Sequence, residues 1–185
     1  MFKKAFRRTF FWAAIILLFV VAIKQVSGRT QLALEAYRSG NIEKAARLWE
    51  KMARNGDARA QFNLGVLNLA GKASNASDSE AYKWMLKSAR NGNAKAQYEV
   101  GKMYESGRGT SKSNATAVAW IKKSADQGYG PAETDLGLRY LSGSGVEQSA
   151  ELAEFWLSRV IGENRKTGIL APGATPCGSA ISAGS

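Results

Sequence analysis

The chain has 185 residues, a formal net charge of +11, 45% hydrophobic residues and 22% charged residues. This composition is typical of a folded globular protein and is too apolar for a disordered chain. The sequence contains no histidine, which excludes the catalytic triads, proton shuttles and metal sites that depend on imidazole near neutral pH. The only cysteine, Cys177, cannot form a disulfide within the chain. We therefore expect no catalytic residues, no metal and no cofactor, and predict a protein that is not an enzyme.

The N-terminus has the pattern of an export signal. Four basic residues come first: Lys3, Lys4, Arg7 and Arg8. An unbroken apolar run of 14 residues, 10–23, follows them, and this order is typical of exported proteins. Residues 1–28 are predicted to be a signal anchor that crosses the inner membrane once through residues 9–26, with a cytoplasmic N-terminus and a periplasmic remainder. The alternative is a signal peptide cleaved after Val26-Ser27-Gly28, which would leave a soluble periplasmic protein.

A period of 36 residues organises the middle of the chain. Six sets of residues recur at this interval: Ala60, Ala96 and Ala132; Gly65, Gly101 and Gly137; Gly71, Gly107 and Gly143; Ser77, Ser113 and Ser149; Ala81, Ala117 and Ala153; Trp84, Trp120 and Trp156. A repeat length in the range of about 20 to 50 residues indicates stacked units of supersecondary structure.

Each unit is predicted to contain two helices, because its apolar residues follow a helical spacing. Residues Ala96, Val100, Met103 and Tyr104 fall at i, i+4, i+7 and i+8. The first helix of this unit should run over about 94–106 and end at Gly107, and the second should begin near Ser113 or Asn114. The recurring glycine would let two helices approach closely, and the recurring tryptophan would fill the space between units.

The predicted fold is all-α, a right-handed α-solenoid of about four helix-turn-helix repeats preceded by one N-terminal transmembrane or signal helix. The repeat domain is assigned to residues 29–164. Its units are placed at 29–57, 58–93, 94–129 and 130–164. The first unit matches the later ones once five residues are removed from the loop between the helices of the later units. Residues 165–185, rich in Gly, Ser and Ala, are predicted to be a disordered tail.

Two segments carry a resemblance to a known family, residues 94–109 (AKAQYEVGKMYESGRG) and 117–128 (AVAWIKKSADQG). They resemble the Sel1-like repeats (SLR), relatives of the tetratricopeptide repeats with a longer period. The resemblance implies a non-enzymatic adaptor that binds other proteins, in many cases in the bacterial cell envelope. One alternative that it implies is an immunity protein that neutralises a periplasm-acting toxic effector such as a secreted lipase. A second is a peptidoglycan or envelope-surface binding module, although the paired cysteines of the subgroup linked to that activity are missing here.

Charge is unevenly distributed along the repeats. Residues 29–130 hold 17 basic and 9 acidic groups, whereas residues 131–164 hold 2 basic and 6 acidic groups. A basic body with an acidic end favours an acidic protein partner, anionic lipid headgroups or self-association of the chain. Nucleic acid is not an expected partner, because five of the basic residues belong to the export segment.

The predicted partner-binding surface follows from the likeness to tetratricopeptide solenoids, in which the first helix of each pair lines the concave side. Counting from the recurring glycine selects eight residues for this groove: Arg59, Phe62, Val66, Lys95, Tyr98, Lys102, Thr134 and Leu138. Such a groove would be basic and aromatic and would suit an acidic segment. The alternative is that Phe62 and Tyr98 belong to the core, because one apolar stripe does not distinguish the two faces of a helix.

Overall fold

The computed structural model describes the backbone of residues 28–167 and the side chains of residues 28–162. Within this range the chain forms eight helices and no strand: α1 (28–38), α2 (Ile42–Arg54), α3 (Ala58–Leu69), α4 (Asp78–Arg90), α5 (Ala94–Ser106), α6 (Asn114–Asp126), α7 (Gly130–Ser142) and α8 (Ala150–Thr167). From α2 onward each helix packs against the next one along the chain. The predicted all-α solenoid of helix pairs is therefore confirmed.

The helix ends lie where the capping residues predict them. Ser77 and Ser113 precede α4 and α6, and their hydroxyls accept hydrogen bonds from the backbone N–H groups of Glu80 and Thr116. Helix α5 ends at Gly107, which takes the left-handed conformation with φ of 77°. These contacts satisfy backbone groups that a helix end leaves unpaired. The predicted bounds of α5 and the predicted start of α6 are confirmed.

The recurring glycine marks the closest approach of the two helices within a repeat. A Cβ atom on Gly101 would lie 2.6 Å from Cγ1 of Ile121 and 3.0 Å from the carbonyl oxygen of Ala117. On Gly65 it would lie 2.8 Å from the side chain of Met85, and on Gly137 2.7 Å from Leu157. Each repeat thus brings its first helix onto the second at a position where only glycine fits without displacement.

The tryptophans differ in burial, although Trp84, Trp120 and Trp156 each pack in a core cluster that contains residues of two neighbouring repeats, as the prediction that they fill the space between units requires. Trp49 and Trp156 are buried, with 3% and 5% of their surface exposed. Trp84 and Trp120 are half-buried, and Nζ of Lys87 and of Lys123 lies 4.5 Å above their ring centroids. At these two positions the ring lies under a lysine side chain that keeps its ammonium group in water.

A glutamine at the start of each inner repeat joins it to the preceding one. Gln61 Nε2 donates to the carbonyl of Ala53 at 3.0 Å, and Gln97 Nε2 donates to that of Ala89 at 3.1 Å. Their side-chain oxygens accept hydrogen bonds from Asn91 and Gln127, 30 residues further on. Both glutamines are buried, and the amide satisfies donor and acceptor together.

Glu133 interrupts this pattern in the last repeat. It lies 36 residues after Gln97 and is 1% exposed. Its Oε1 pairs with Nε of Arg159 at 2.8 Å, but its Oε2 is buried with no hydrogen-bond partner among the described residues. Ala125 lies eight residues before Glu133, just as Ala89 lies eight residues before Gln97. A carboxylate cannot donate a hydrogen bond to the carbonyl of Ala125.

We expect Glu133→Gln to stabilise the protein by about 1 kcal/mol, because the amide can accept from Arg159 and donate to Ala125. Urea denaturation of the two proteins measures the difference. The matched control is Gln97→Glu, which removes the donor to Ala89 and should cost about 1 to 3 kcal/mol. Loss of stability in Glu133→Gln would mean that the ion pair with Arg159 outweighs the unpaired oxygen.

Two predicted segments fall largely outside the described residues. The predicted signal anchor, residues 9–26, lies before residue 28, and most of the predicted tail, 165–185, lies after residue 167. Helix α8 continues to Thr167, three residues past the predicted end of the repeat domain at 164. Among residues 28–167, no helix combines the length and the hydrophobicity that crossing a bilayer requires.

Candidate functional site

The candidate site is a groove of about 750 Å³ along the starts of α3 and α5. Its walls come from the first turn of these helices and from the turns that precede α5 and α7. We call it the basic groove and define it by its lining residues: Thr30, Leu34, Ala58, Arg59, Phe62, Asn63, Asn91, Gly92, Asn93, Ala94, Lys95, Gln127, Gly128 and Tyr129. It therefore spans residues from the first three predicted repeats, with Thr30 and Leu34 contributed by α1.

The charge of the basic groove has one sign. Among the described residues that line it, Arg59 and Lys95 are the only ionisable side chains apart from the Tyr129 hydroxyl, and none is Asp or Glu. Both basic residues are exposed, and neither has an ion-pair partner among the described residues. The groove also holds the starts of α3 and α5, where the helix dipole is positive. An acidic ligand would therefore find two cations here, with no carboxylate among the described lining residues to compete.

The turns that form the groove wall are held rigidly. Asn91 donates from Nδ2 to Gln61 at 2.9 Å and to the carbonyl of Gly56 at 3.2 Å. Asn93 caps α5 by accepting from the backbone N–H of Ala96 at 3.1 Å. The glycine between them, Gly92, has φ of 85°, a conformation that glycine adopts without strain. A wall fixed in this way loses little conformational entropy when a ligand binds.

Three of the eight predicted partner-binding residues come together in the basic groove: Arg59, Phe62 and Lys95. Phe62 also packs against the core cluster that contains Val100 and Met103. The interpretation of Phe62 as a groove residue and its interpretation as a core residue are thus compatible, because the ring contacts both the groove and the core cluster. Val66 is half-buried against the same cluster and does not line the groove.

Three further predicted residues lie at the junction between the third and fourth repeats. The ring of Tyr98 contacts that of Tyr129 edge-to-face at 5.7 Å, so it supports the groove wall from behind. Lys102 pairs with Glu105 and lies 3.8 Å from Oδ2 of Asp135. Thr134 donates its hydroxyl hydrogen to the carbonyl of Gly130 at 3.0 Å. All three are half-buried, and none lines the basic groove.

The junction carries a network of charges around a buried arginine. Arg139 is 6% exposed and pairs with Glu105 at 2.6 Å and Asp135 at 2.7 Å. The hydrogen bond from Lys102 lowers the pKa of Glu105, and contacts with Arg139 lower it further. Burial raises the pKa of the Tyr98 hydroxyl, as does the nearby Asp135 carboxylate. The positive charge of Lys102 is therefore already paired with carboxylates of the protein, which makes Lys102 a poor candidate for partner binding.

Leu138, the last predicted site residue, is 54% exposed on α7 and does not line the basic groove. The sequence reasoning also missed residues that do line it, namely those of the turns Asn91-Gly92-Asn93 and Gln127-Gly128-Tyr129. A signal for these turns was present, because they recur 36 residues apart. They lie between helices, however, where no apolar period draws attention to them.

Among residues 28–162, no group of acidic or cysteine side chains is arranged to hold a metal ion. The geometry of the basic groove suits non-covalent binding, since it offers two cations, two aromatic rings and amide side chains on a rigid wall.

Comparison with known proteins identifies the repeat. A sequence model described as Sel1 repeat matches residues 31–57, 58–93, 94–129 and 130–159, which together make up more than half of the chain. A comparison with curated proteins finds no match.

Two solved structures are similar. One is a Sel1 repeat protein from Oxalobacter formigenes, 31% identical, with a TM-score of 0.68 over 73% of this chain and 56% of that one. The other is a protective antigen of uropathogenic Escherichia coli strains with an SLR fold, 30% identical, with a TM-score of 0.62 over 79% of this chain and 34% of that one. The chain thus spans about half of the first relative and about a third of the second.

Proposed function

Since the chain belongs to the Sel1 repeat family, we propose that it is a non-enzymatic adaptor that binds an acidic segment of another protein in the basic groove. Sel1 repeat proteins generally act as protein-interaction scaffolds. The observation that carries the proposal is that Arg59 and Lys95, which have no ion-pair partner among the described residues, line one groove with the half-buried ring of Phe62. No carboxylate is among the described residues that line this groove. An extended or helical segment with acidic and apolar side chains is the ligand that matches these groups.

We further propose that the protein acts in the bacterial cell envelope, anchored in the inner membrane by residues 9–26 with its repeats in the periplasm. Support comes from the four basic residues ahead of the apolar run 10–23. A reporter that is active only in the periplasm, fused after Ser185, should be active, and the protein should sediment with membranes. Activity of a cytoplasm-specific reporter instead would contradict this location, and a soluble periplasmic protein would indicate cleavage.

Photo-crosslinking in intact cells tests the groove. Asn63 lines the groove, and its side chain makes no hydrogen bond with the described residues, so p-benzoylphenylalanine can replace it. We expect this variant to crosslink a specific protein, and the added changes Arg59→Glu and Lys95→Glu to reduce the crosslink about tenfold or more, because two attractive charges become repulsive.

The matched control is Lys51→Glu with Lys112→Glu, which reverses two exposed charges outside the basic groove. This control should leave the crosslink unchanged, and the melting temperatures of all variants should agree. Equal crosslinking in the Arg59 and Lys95 variant, or no crosslink at all, would refute the groove as the binding site. The captured protein also separates the roles: a secreted lipase or other toxin indicates immunity, and an envelope complex indicates assembly.

A further inference from the structure

The two ends of the repeat stack carry exposed apolar residues at the positions through which neighbouring repeats contact each other. Between the third and fourth repeats, Lys102 faces Asp135 at 3.8 Å and Glu105 faces Arg139 at 2.6 Å. These pairs show which positions of one repeat meet which positions of the next.

At the C-terminal end, the equivalents of Lys102 and Glu105 are Leu138 and Leu141, 36 residues later. They are 54% and 47% exposed. In the second repeat the same two positions hold Val66 and Leu69, which the next repeat covers through its core cluster. The last described repeat therefore presents apolar residues of the kind that a following repeat would bury.

At the N-terminal end, the equivalent of Asp135 is Leu32 in α1, which is 51% exposed. This equivalence takes into account that the loop between the two helices of the first repeat is five residues shorter than in the other repeats. The hydroxyl of Ser39 donates to the carbonyl of Ala36, three residues earlier, as those of Ser106 and Ser142 do to Met103 and Arg139. Stacking the first repeat of one copy onto the last repeat of another would thus replace the Lys102–Asp135 pair by Leu138 against Leu32.

The polar residues of the two ends are complementary as well. Glu154 occupies the position of Tyr82, whose hydroxyl bonds that of Tyr104 in the next repeat at 2.6 Å. The first-repeat equivalent of Tyr104 is Tyr37, and Nζ of Lys72 lies 5.9 Å from its ring centroid. In an end-to-end contact Glu154 of one copy would approach Lys72 of the other.

We propose that copies of this chain bind head to tail, with Leu138, Leu141 and Glu154 of one copy against Leu32 and the Tyr37–Lys72 pair of the next. The contact is heterologous, so it can extend into a chain of molecules. The chain's own residues 168–185 are a poorer occupant of the C-terminal end, because they contain no basic residue to face Glu154.

Disulfide trapping of the full-length chain in intact cells tests the contact. In a Cys177→Ser background, the double variant Leu32→Cys with Leu138→Cys should give a ladder of crosslinked multimers on oxidation. A mixture of the two single variants should give only a dimer, and each single variant alone should give none. In the double variant, Glu154→Lys should reduce the ladder about tenfold, and adding Lys72→Glu should restore it.

The control is Leu152→Asp, which alters an exposed leucine whose second-repeat equivalent, Glu80, borders the preceding repeat. It should leave the ladder intact. Dimers of the Leu138→Cys variant alone would instead indicate two C-terminal ends meeting. In a separate Leu138→Cys variant that retains Cys177, a bond between these two cysteines within one chain would show that the tail covers this end. Either result, or the absence of any crosslink, overturns the proposal.

Discussion

Gly109→Ala should lower the free energy of unfolding by about 3 kcal/mol, an unusually large effect for the addition of one methyl group. Gly109 follows α5 in the turn between the two helices of the third repeat, with φ of 69°. A Cβ atom there would lie 2.1 Å from the backbone carbonyl oxygen of Asp78 at the start of α4. Because backbone atoms cannot move aside as a flexible side chain does, the turn must separate from the preceding repeat.

The neighbouring Arg108 would be affected by the same movement. Its Nε donates to Oδ1 of Asp78 at 2.6 Å. This side-chain contact holds the turn against the start of α4, next to the backbone contact at Gly109. Displacement of the turn would therefore weaken an interaction between repeats as well as strain the backbone. In a repeat stack, stability depends on such contacts between neighbours.

Gly145 provides a matched control because it occupies the same turn one repeat later. Its φ is 74°, and the atom nearest to a Cβ there would be a methyl carbon of Val118 at 3.1 Å, with the nearest backbone atom, the carbonyl oxygen of Asn114, at 4.0 Å. We expect Gly145→Ala to cost about 1 kcal/mol, the ordinary penalty of a left-handed alanine. Urea denaturation of both variants gives the difference. Equal losses would show that the contact with Asp78 contributes nothing.

The helical framework could be predicted from the sequence because its causes are local and repeated. Capping serines, the glycine that ends α5 and the helical spacing of apolar residues each act within one or two turns of chain. The 36-residue period then carries an assignment made in one repeat to the others. The close approach at Gly101 was predictable for the same reason, since a glycine kept inside a helix despite its low helix propensity indicates a packing requirement.

The surroundings of the recurring positions could not be predicted in the same way. Arg139 occupies the repeat position that the buried residues Leu67 and Met103 hold in the two preceding repeats. An arginine at this position is expected on the surface as long as its partners are unknown. Those partners, Glu105 and Asp135, come from two different helices. Two pairs of this network, Lys102–Glu105 and Asp135–Arg139, follow the helix spacings i,i+3 and i,i+4. The contacts of Arg139 with Glu105 and of Lys102 with Asp135 join two helices, and no spacing rule within one helix anticipates those.

The basic groove was only partly predictable for a related reason. Counting along the first helix of each repeat identifies Arg59, Phe62 and Lys95, which do line it. The same count extends the site to Lys102 and Leu138, because a helix stripe continues past the end of the groove. The remaining wall comes from turns, whose place in space depends on how the repeats stack.

The second large effect on stability is expected at the tryptophan of the fourth repeat. Trp156→Ala should cost about 3 to 5 kcal/mol, because a ring that is 5% exposed leaves a cavity in the cluster containing Ile121, Ala132 and Leu136. Arg159, whose guanidinium carbon lies 5.1 Å from the ring centroid, would lose this contact as well. Because Trp156 lies on α8 and packs it into this cluster, its loss should let α8 unfold before the inner repeats.

Trp120→Ala is the matched control, since Trp120 is the same residue one repeat earlier but is half-buried beneath Lys123. Its loss should cost about 1 to 2 kcal/mol, because water already reaches part of the ring. Circular dichroism during urea denaturation should show one transition for Trp120→Ala and an early loss of helix for Trp156→Ala. A larger loss for Trp120→Ala than for Trp156→Ala would mean that the inner ring contributes more to the packing between repeats than its partial exposure indicates.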